Sequence, residues 1–462
     1  MDFLYRQTRM EDVEDVEKYV PGGYHPVDIG DRLGPTADSH HYTILHKLGF
    51  GGFSTVWLTR CSRDKHFYAL KILTADLPQS QGKDLTILQG LKDDGFEHPR
   101  VARLYESFEV SGPNGTHLCL VLPALGPNLD DQSAKKCLAP ETRYQICEQI
   151  ASGVTALHER GVCHGDLTPS NVVFELTNTS SMDAQQVCAL LGPVKRERLR
   201  LRIGNRSDHA PKYVIQRPTF PSLVADLPSP LETVQIVDFG EAFIASQPRS
   251  TLGIPVGLGY FPPELCFGYP ASGASDVWEL ACLMFQILGT PPLFPCFFPI
   301  FEILIGTAVP ILGPLPEHWR GRFDHERYGY REDGKVDDAD AEEPGWWWDE
   351  AIHNKSIRGQ LERDLAPLFS HEELDFLAGL LGDMLAFEPE KRISAQDIVQ
   401  RLHSASAMFG QPASTADSEL HENAHGQAAW LTVYVQNTGS GVEPVRDIRV
   451  ENVKAPASGD QG

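Results

Sequence analysis

The chain has 462 residues and a formal net charge of −23, because 63 acidic residues outnumber 40 basic ones. Hydrophobic residues make up 41% of the chain and charged residues 22%, a composition that excludes a disordered or fibrous protein. So negative a charge disfavours direct binding to nucleic acid or to an anionic membrane surface, and it favours a basic protein partner.

Cysteines and apolar segments bear on the compartment. The nine cysteines form no Cys-x-x-Cys pair, and their odd number argues against a closed disulfide framework. The N-terminal segment 1–20 lacks the apolar core of a secretory signal. One long apolar stretch, 277–312, is interrupted by Glu279, Gln286 and Glu302, so no window in it suits a bilayer span. We therefore expect a monomer of the reducing cytoplasm or nucleus that does not enter a membrane.

Taken in chain order, residues 1–40 are polar and rich in Gly and Pro, and they predict an extended N-terminal arm. Short β-branched and aromatic runs, bounded by Gly or charged residues, then predict a rhythm of strands and turns. The predicted strands are 40–49, 54–60, 66–73, 101–110 and 116–125, with a helix at 84–93. The first third of the chain therefore predicts a mostly antiparallel sheet with one helix.

Beyond Pro127 the apolar residues recur at helical spacing, which predicts helices at 141–161, 275–289, 297–307, 372–386 and 394–403. Residues 177–232 carry a basic run with many Pro and Ser, and we interpret them as an insertion. An acidic loop at 331–350 includes three tryptophans. From about 408 the composition is that of a loose tail, in which 429–435 is a candidate strand or docking segment.

A glycine-rich string, Gly49-Phe50-Gly51-Gly52-Phe53-Ser54-Thr55-Val56, lies between two predicted strands. Glycines let the backbone close over phosphate groups, where a Cβ would hold the amides away. No Gly-Lys-Ser/Thr follows, so this is not a Walker loop, and the strand that follows excludes a Rossmann loop. Alone, the string is a weak signal of nucleotide binding.

Lys71 lies between apolar Leu70 and Ile72 in the predicted strand 66–73, which is the second strand after the glycine string begins. A lone lysine on a strand is commonly a solvated surface residue. Here the spacing puts its amine beneath the glycine loop, where it can hold the α- and β-phosphates of a nucleotide.

Two further motifs supply oxygen ligands. The string His164-Gly165-Asp166-Leu167-Thr168-Pro169-Ser170-Asn171 follows a predicted helix and offers a carboxylate and, five positions later, a carboxamide. This pair suits a general base beside a metal-binding amide, although a helix-ending loop with a packed histidine is the alternative. Val237-Asp238-Phe239-Gly240 follows an apolar run, and there Asp238 would be a Mg²⁺ ligand.

These four elements, in this order and context, resemble the eukaryotic protein kinase family. The similarity runs from about 42 to 403: residues 259–264 resemble the end of the activation segment, 276–278 a buried Asp and Trp, and Arg392 the partner of Glu264. The resemblance implies an α+β, bilobal fold with a small antiparallel N-lobe (about 41–125) carrying one helix and a larger, mostly α-helical C-lobe (about 126–405). The 1–40 arm, the 177–232 insertion and a 406–462 tail complete the chain.

A narrower similarity points to the fungal branch of the SR-protein kinases. Segments 21–34, 42–58 and 108–126 carry it, and Ser54 stands where most kinases have a third glycine. The resemblance implies phosphorylation of serines in basic, Arg/Ser-rich proteins, which an acidic protein suits. The acidic loop 331–350 falls near the docking groove of this family, so it is a candidate docking surface, with a merely solvated charge run as the alternative.

The resemblance also implies ATP and Mg²⁺ as the cofactors. The amides of Gly49–Val56 and the Lys71 amine would hold the phosphates, and Asn171 and Asp238 would bind Mg²⁺. Asp166 would accept the proton of the substrate hydroxyl or orient that hydroxyl for in-line transfer.

The adenine pocket is assigned by the same resemblance. Its walls would be Leu48, Val56 and Ala69, its back Leu122, and its hinge Pro123-Ala124-Leu125. Pro123 lacks an N–H, so the amide that contacts adenine would be that of Leu125.

Three positions depart from the common kinase pattern. Asp84 stands where a helix glutamate pairs with the lysine, and its shorter side chain requires the helix to lie closer. Gly165 replaces the arginine before the catalytic aspartate, a change that in kinases generally accompanies activity without activation-loop phosphorylation. Thr168 replaces a lysine that stabilises the transferred charge, and loss of such a contact typically costs a few kcal/mol of transition-state stabilisation.

Three hypotheses therefore stay open. An active serine/threonine kinase is supported by Lys71, Asp166, Asn171 and Asp238, with Thr168 in the catalytic loop. A pseudokinase that binds ATP or a partner without turnover is supported only by the changes at 165 and 168. A small-molecule phosphotransferase shares His-Gly-Asp-x-x-x-x-Asn with the aminoglycoside kinases, but those enzymes lack a peptide-docking activation segment such as 259–264 implies.

Overall fold

The structure is a computed structural model that describes residues 3–36, 39–76, 83–131, 134, 138–176, 179–204, 207–218, 220, 231–252, 258–296, 300–329 and 355–409. The acidic loop 331–350 and the candidate strand 429–435 lie outside these residues, and what the sequence predicts for them stays a prediction. Within the described part, no helix combines the length and the apolar character that crossing a membrane requires.

The first lobe is a six-stranded antiparallel sheet in the order β1-β2-β3-β4-β6-β5. Its strands are β1 (Arg32–Leu33), β2 (Tyr42–Gly51), β3 (Ser54–Cys61), β4 (Phe67–Leu73), β5 (Glu106–Gly112) and β6 (Gly115–Pro123). Helix α1 (Lys83–Asp93) packs on one face of this sheet. The predicted antiparallel sheet with one helix is confirmed.

Strand β6 shows why the sheet has two buried faces. Because side chains alternate along a strand, Leu118, Leu120 and Leu122 face α1, whereas Cys119 and Val121 join the opposite cluster. That opposite cluster includes Val27 of the arm and Ile215 of the insertion. The arm and the insertion therefore belong to the core of this lobe.

The second lobe is mostly helical. Its strands are β7 (Leu125–Asn128), β8 (Val162–Cys163), β9 (Val172–Glu175), β12 (Val234–Ile236) and β13 (Phe243–Ile244), and the insertion contributes β10 (Arg196–Arg198) and β11 (Tyr213–Ile215). Its helices are α2 (Pro140–Glu159), α4 (Gly273–Ile287), α5 (Phe301–Leu312), α6 (His325–Tyr328), α7 (Ile357–Leu365), α8 (His371–Met384) and α9 (Ala395–Phe409), and the insertion contributes α3 (Ala184–Leu190). The long apolar stretch forms α4 and α5, which are buried in the core of the lobe.

The insertion 177–232 packs on the first lobe. Val187 and Leu191, in and just after α3, are buried against Leu58 of the sheet. Strands β10 and β11 pair with each other as an antiparallel two-stranded sheet. Just beyond β10, Leu201 forms an isolated antiparallel β-bridge with Tyr5 of the arm. The arm, the insertion and the sheet are thus joined by hydrogen bonds and apolar contacts.

The expected ion pair between Glu264 and Arg392 is present and fully buried. Two parallel bonds of 2.9 and 2.7 Å join the guanidinium to the carboxylate, and the Ser275 hydroxyl donates to Glu264 at 2.7 Å. Bidentate pairing fixes geometry as well as charge, so this pair ties the segment before α4 to the segment before α9.

Candidate active site

A cavity of about 480 Å³ lies between the two lobes, a size typical of small-molecule sites. The predicted site residues that line it are Leu48, Gly49, Phe50, Gly51, Ser54, Val56, Ala69, Lys71, Leu122, Pro123, Leu125, Asn171 and Asp238. Among the other predicted residues, Gly52 and Phe53 form the tip of the glycine loop, and Asp166 and Thr168 belong to the catalytic loop, residues 164–171, outside the described cavity lining. Thr55 is buried on the far side of β3, where its hydroxyl accepts a 3.0 Å bond from the Trp57 indole.

The glycine string forms the hairpin between β2 and β3. Gly51 pairs with Ser54, which leaves Gly52 and Phe53 as a two-residue turn. A Cβ on Gly49 would meet no atom within 4 Å, so the backbone there borders open space. That space is what a phosphate group held by loop amides requires.

Lys71 lies on the central strand β4, directly opposite Val56 of the glycine hairpin. Its Nζ lies 2.5 Å from Asp84 Oδ2 and 2.8 Å from Asp238 Oδ1. Helix α1 is therefore close enough for the shorter aspartate to reach. Burial lowers the pKa of Lys71, but the Asp238 and Asp84 carboxylates outweigh this effect and raise it overall, so the amine stays charged.

Asp166 and Asn171 are joined within the catalytic loop. The Asn171 Nδ2 donates to Asp166 Oδ2 at 2.7 Å and to the Asp166 carbonyl at 2.9 Å. The other carboxylate oxygen, Oδ1, is buried and has no hydrogen-bond partner among the described residues. Burial, reinforced by Asp238 and opposed by His164 and Asn171, raises the pKa of Asp166 to about 6. A carboxyl whose pKa is raised in this way is a stronger base than an ordinary aspartate.

Thr168 follows in the same loop and is buried, with 2% of its surface exposed. Its hydroxyl lies 3.1 Å from the Ser170 hydroxyl, and its backbone N–H donates to the Asp166 carbonyl at 3.0 Å. The side chain is neutral, so it cannot supply the positive charge of the lysine that it replaces.

Two carboxylates on α4, those of Asp276 and Glu279, accept hydrogen bonds from the backbone of the catalytic loop. Asp276 accepts the backbone N–H groups of His164 and Gly165, both at 2.8 Å, and is completely buried. Glu279 accepts the N–H of Leu167 at 2.7 Å. Glu279 was not predicted as a site residue, although its i+3 spacing from Asp276 on a helix places both on one face.

The local backbone conformation explains why a glycine stands at position 165. Its φ is +73°, a conformation that L side chains rarely adopt, and an added Cβ would lie 2.8 Å from the Glu241 carbonyl oxygen. The departure from the kinase pattern at this position therefore fits a tight approach of two backbone segments.

Asn171 and Asp238 fit a divalent cation by their chemistry. The pKa of Asp238 is lowered, mainly by the charge of Lys71. The half-exposed Asp238 carboxylate therefore stays ionised in the cavity. The Asn171 amide nitrogen is used by Asp166, which leaves the amide oxygen for a ligand. A carboxylate and an amide oxygen are the hard donors that Mg²⁺ prefers.

The cavity rim contains residues that the sequence analysis did not find. Asp12 of the arm and Arg217, Pro218 and Phe220 of the insertion line it. The Arg217 backbone N–H donates to the Asp12 carbonyl at 3.0 Å. These contacts join segments that are far apart in the chain, and no periodicity or motif in the sequence encodes them.

Comparisons with known proteins agree with this geometry. A protein kinase domain model matches residues 42–183. Over 413 residues the chain is 26% identical to the serine/threonine-protein kinase SRPK of Physarum polycephalum, a match that covers 85% of this chain and 91% of that protein. A solved crystal structure of a kinase domain superposes with a TM-score of 0.53 at 16% identity, covering 82% of this chain and 98% of that one. This structural similarity confirms the α+β, bilobal fold.

Two further relatives match over shorter segments. The chain is 32% identical over 215 residues to the serine/threonine-protein kinase spk-1 of Caenorhabditis briggsae, a match covering 45% of this chain and 18% of that protein. It is 33% identical over 173 residues to SRSF protein kinase 3 of Homo sapiens, covering 36% of this chain and 30% of that protein. The chain thus spans less than a third of these two relatives.

Proposed function

We propose that this protein transfers the γ-phosphate of ATP to serine hydroxyls in basic, Arg/Ser-rich proteins, because residues 42–183 match a protein kinase domain model and its relatives include the serine/threonine-protein kinase SRPK and an SRSF protein kinase. One observation carries this proposal. Lys71 contacts Asp238, Asn171 contacts Asp166, and three of these four residues line one cavity beneath a glycine-rich hairpin.

In the proposed reaction, the glycine-loop amides and Lys71 hold the phosphates of ATP. The substrate hydroxyl lies against the Asp166 carboxylate, which the Asn171 amide holds in place. As the hydroxyl oxygen bonds to the γ-phosphorus, Asp166 accepts its proton, and the bond from the γ-phosphorus to the bridging oxygen breaks to release ADP. When bound at Asp238 and Asn171, Mg²⁺ supplies positive charge to the phosphate oxygens.

Support for a basic substrate comes from charge. The chain carries a net charge of −23, which is complementary to an arginine-rich segment. The names of the relatives point the same way, since one is an SRSF protein kinase.

The test is transfer of labelled γ-phosphate from Mg-ATP to an Arg-Ser repeat peptide. We expect phosphoserine with the wild-type chain, and loss of turnover in Asp166→Asn with ATP binding retained. Lys71→Met should lose both turnover and tight ATP binding. Equal transfer by wild type and Asp166→Asn would overturn the proposal, and so would ATP binding by the wild type with no transfer to any hydroxyl.

A further inference from the structure

We propose that Lys18 and Tyr24 of the N-terminal arm are positioning residues for the nucleotide, because together they clamp the tip of the glycine-rich loop. The proposal rests on the proposed function in one respect, namely that the ligand of this loop is ATP. The arm was expected from the sequence only as an extended segment, without a role in the cleft.

The contacts cover the whole tip of the loop. Lys18 Nζ donates to the Gly52 carbonyl at 2.7 Å, and the Tyr24 hydroxyl donates to the Gly51 carbonyl at 2.7 Å. The Lys18 ammonium also lies 5.4 Å from the centre of the Phe53 ring, within the range of a cation–π contact. Three consecutive loop residues are therefore contacted by two side chains of the arm.

Fixing a carbonyl also fixes the amide that follows it. The peptide unit is planar and trans, so its N–H points opposite to its C=O. With the Gly51 and Gly52 carbonyls turned to the arm, the N–H groups of Gly52 and Phe53 are turned away from it. Lys18 and Tyr24 do not belong to the described cavity lining, so the clamp orients donors of the loop without occupying the nucleotide space.

The clamp stands on a rigid base. Tyr19, between the two residues, is fully buried, and its backbone carbonyl accepts a 2.9 Å bond from the Tyr5 hydroxyl. Asn114, in the turn between β5 and β6, donates to the Tyr24 carbonyl at 2.6 Å. A buried ion pair between Glu14 of the arm and Lys47 of β2 anchors the arm just before the glycine string. Movement of the loop tip is therefore resisted by the body of the lobe.

The effect falls on the loop and not on the fold. The hydrogen bond from Lys18 lies at the exposed surface. If it is lost, water can donate to the Gly52 carbonyl instead, so the free energy of unfolding changes little. The loop itself contains two adjacent glycines, which are the least restrained residues of any chain. Without the clamp, the loop tip loses conformational entropy when ATP binds, and this unfavourable term reduces the binding free energy of ATP.

The experiment uses the full chain and three variants. Lys18→Met removes the ammonium and keeps the apolar stem, and Tyr24→Phe removes the hydroxyl and keeps the ring. The matched control is Lys65→Met, because Lys65 Nζ also donates at 2.7 Å to an exposed turn carbonyl, that of Ser62, in the connection between β3 and β4 at the opposite end of β3. The readouts are hydrogen exchange of the amides of 49–56 without nucleotide, the Kd and KM for Mg-ATP, kcat, and the melting temperature.

We expect faster exchange at 49–56 in Lys18→Met and Tyr24→Phe, and a Kd and KM for ATP about three- to tenfold higher, with kcat and melting temperature near those of the wild type. Lys65→Met should match the wild type throughout. Exchange and ATP affinity in Lys18→Met equal to those of Lys65→Met would overturn the clamp. A lower melting temperature with faster exchange across the whole sheet would also overturn it, because the role would then be structural. Wild type that neither binds ATP nor transfers phosphate would contradict the proposed function, whereas the exchange comparison would still decide the clamp.

Discussion

The buried ion pair of Glu264 and Arg392 should contribute several kcal/mol to the stability of the second lobe. The perturbation is Arg392→Met, which keeps the length and apolar body of the side chain but removes its charge. Both members are completely buried, so the Glu264 carboxylate would be left without its cation in the core of the second lobe.

The magnitude follows from the contacts. Breaking a buried ion pair by removing one partner costs about 3–5 kcal/mol, because the remaining charge is uncompensated. The guanidinium also donates to the carbonyls of Ala386, Ala274 and Phe387 at 2.7–3.0 Å. We therefore expect Arg392→Met to lose about 4 kcal/mol or more of stability, enough to unfold much of the protein at physiological temperature.

The assay is denaturant and thermal unfolding against Arg401→Met. Arg401 pairs with Asp383 at the surface, where both side chains are about half exposed, so its loss should cost no more than about 1 kcal/mol. Adding Glu264→Gln to Arg392→Met should recover part of the loss, because it removes the orphaned charge. Equal stability of Arg392→Met and Arg401→Met, or a double variant less stable than Arg392→Met alone, would refute the reasoning.

Substitutions of His25 in the arm, Lys71 in the cavity and Glu279 beneath the catalytic loop should each have a distinct effect. Burial, together with His117, lowers the pKa of His25 to about 4, so stability is full above its ordinary pKa of 6.5 and falls as the pH drops toward 4, by about 3 kcal/mol. His25→Phe should flatten this acid limb in unfolding curves. Lys71→Met should lower kcat/KM for Mg-ATP by at least about 100-fold, because the charge aimed at the phosphates is lost. Glu279→Leu should lower kcat about tenfold with the ATP Kd unchanged, because it removes the acceptor of the Leu167 N–H and no contact of the nucleotide cavity.

Each of these has a result that contradicts it. A wild-type pH slope in His25→Phe would show that another group causes the acid limb. Turnover near that of the wild type in Lys71→Met would remove the lysine from catalysis. A change of ATP Kd in Glu279→Leu as large as its change of kcat would mean that Glu279 supports the cavity and not the loop 164–171.

Much of the framework was predictable because it is encoded locally. The alternation in β6 fixes which leucines face α1, and the order of the glycine string, Lys71, Asp166 and Asp238 is enough to indicate the family. The contact of Lys71 with Asp84 was implied by the resemblance to the kinase family, and the structure shows it at 2.5 Å.

The remaining features depend on contacts that no local pattern carries. Lys18 and Tyr24 contact the glycine loop from a separate segment of the chain, and the whole first lobe lies between Asp12 and Arg217 in sequence. Helix α5 also departs from its predicted range of 297–307, since it runs from Phe301 to Leu312 with Pro310 inside it. Proline disfavours a helix interior, but burial of Ala308, Val309 and Ile311 in the core outweighs that cost.

The most direct test of the central claim is the ratio of kcat/KM for two peptides, an Arg-Ser repeat and the same peptide with each arginine replaced by glutamate. If this negatively charged protein is a kinase for Arg/Ser-rich proteins, its kcat/KM for the Arg-Ser peptide should be at least about 100-fold higher than for the glutamate peptide. The glutamate peptide has the same sign of charge as the protein and is repelled from the cleft. Asp166→Asn should be inactive on both. Equal rates on the two peptides, or phosphate transfer confined to small basic molecules, would contradict the claim.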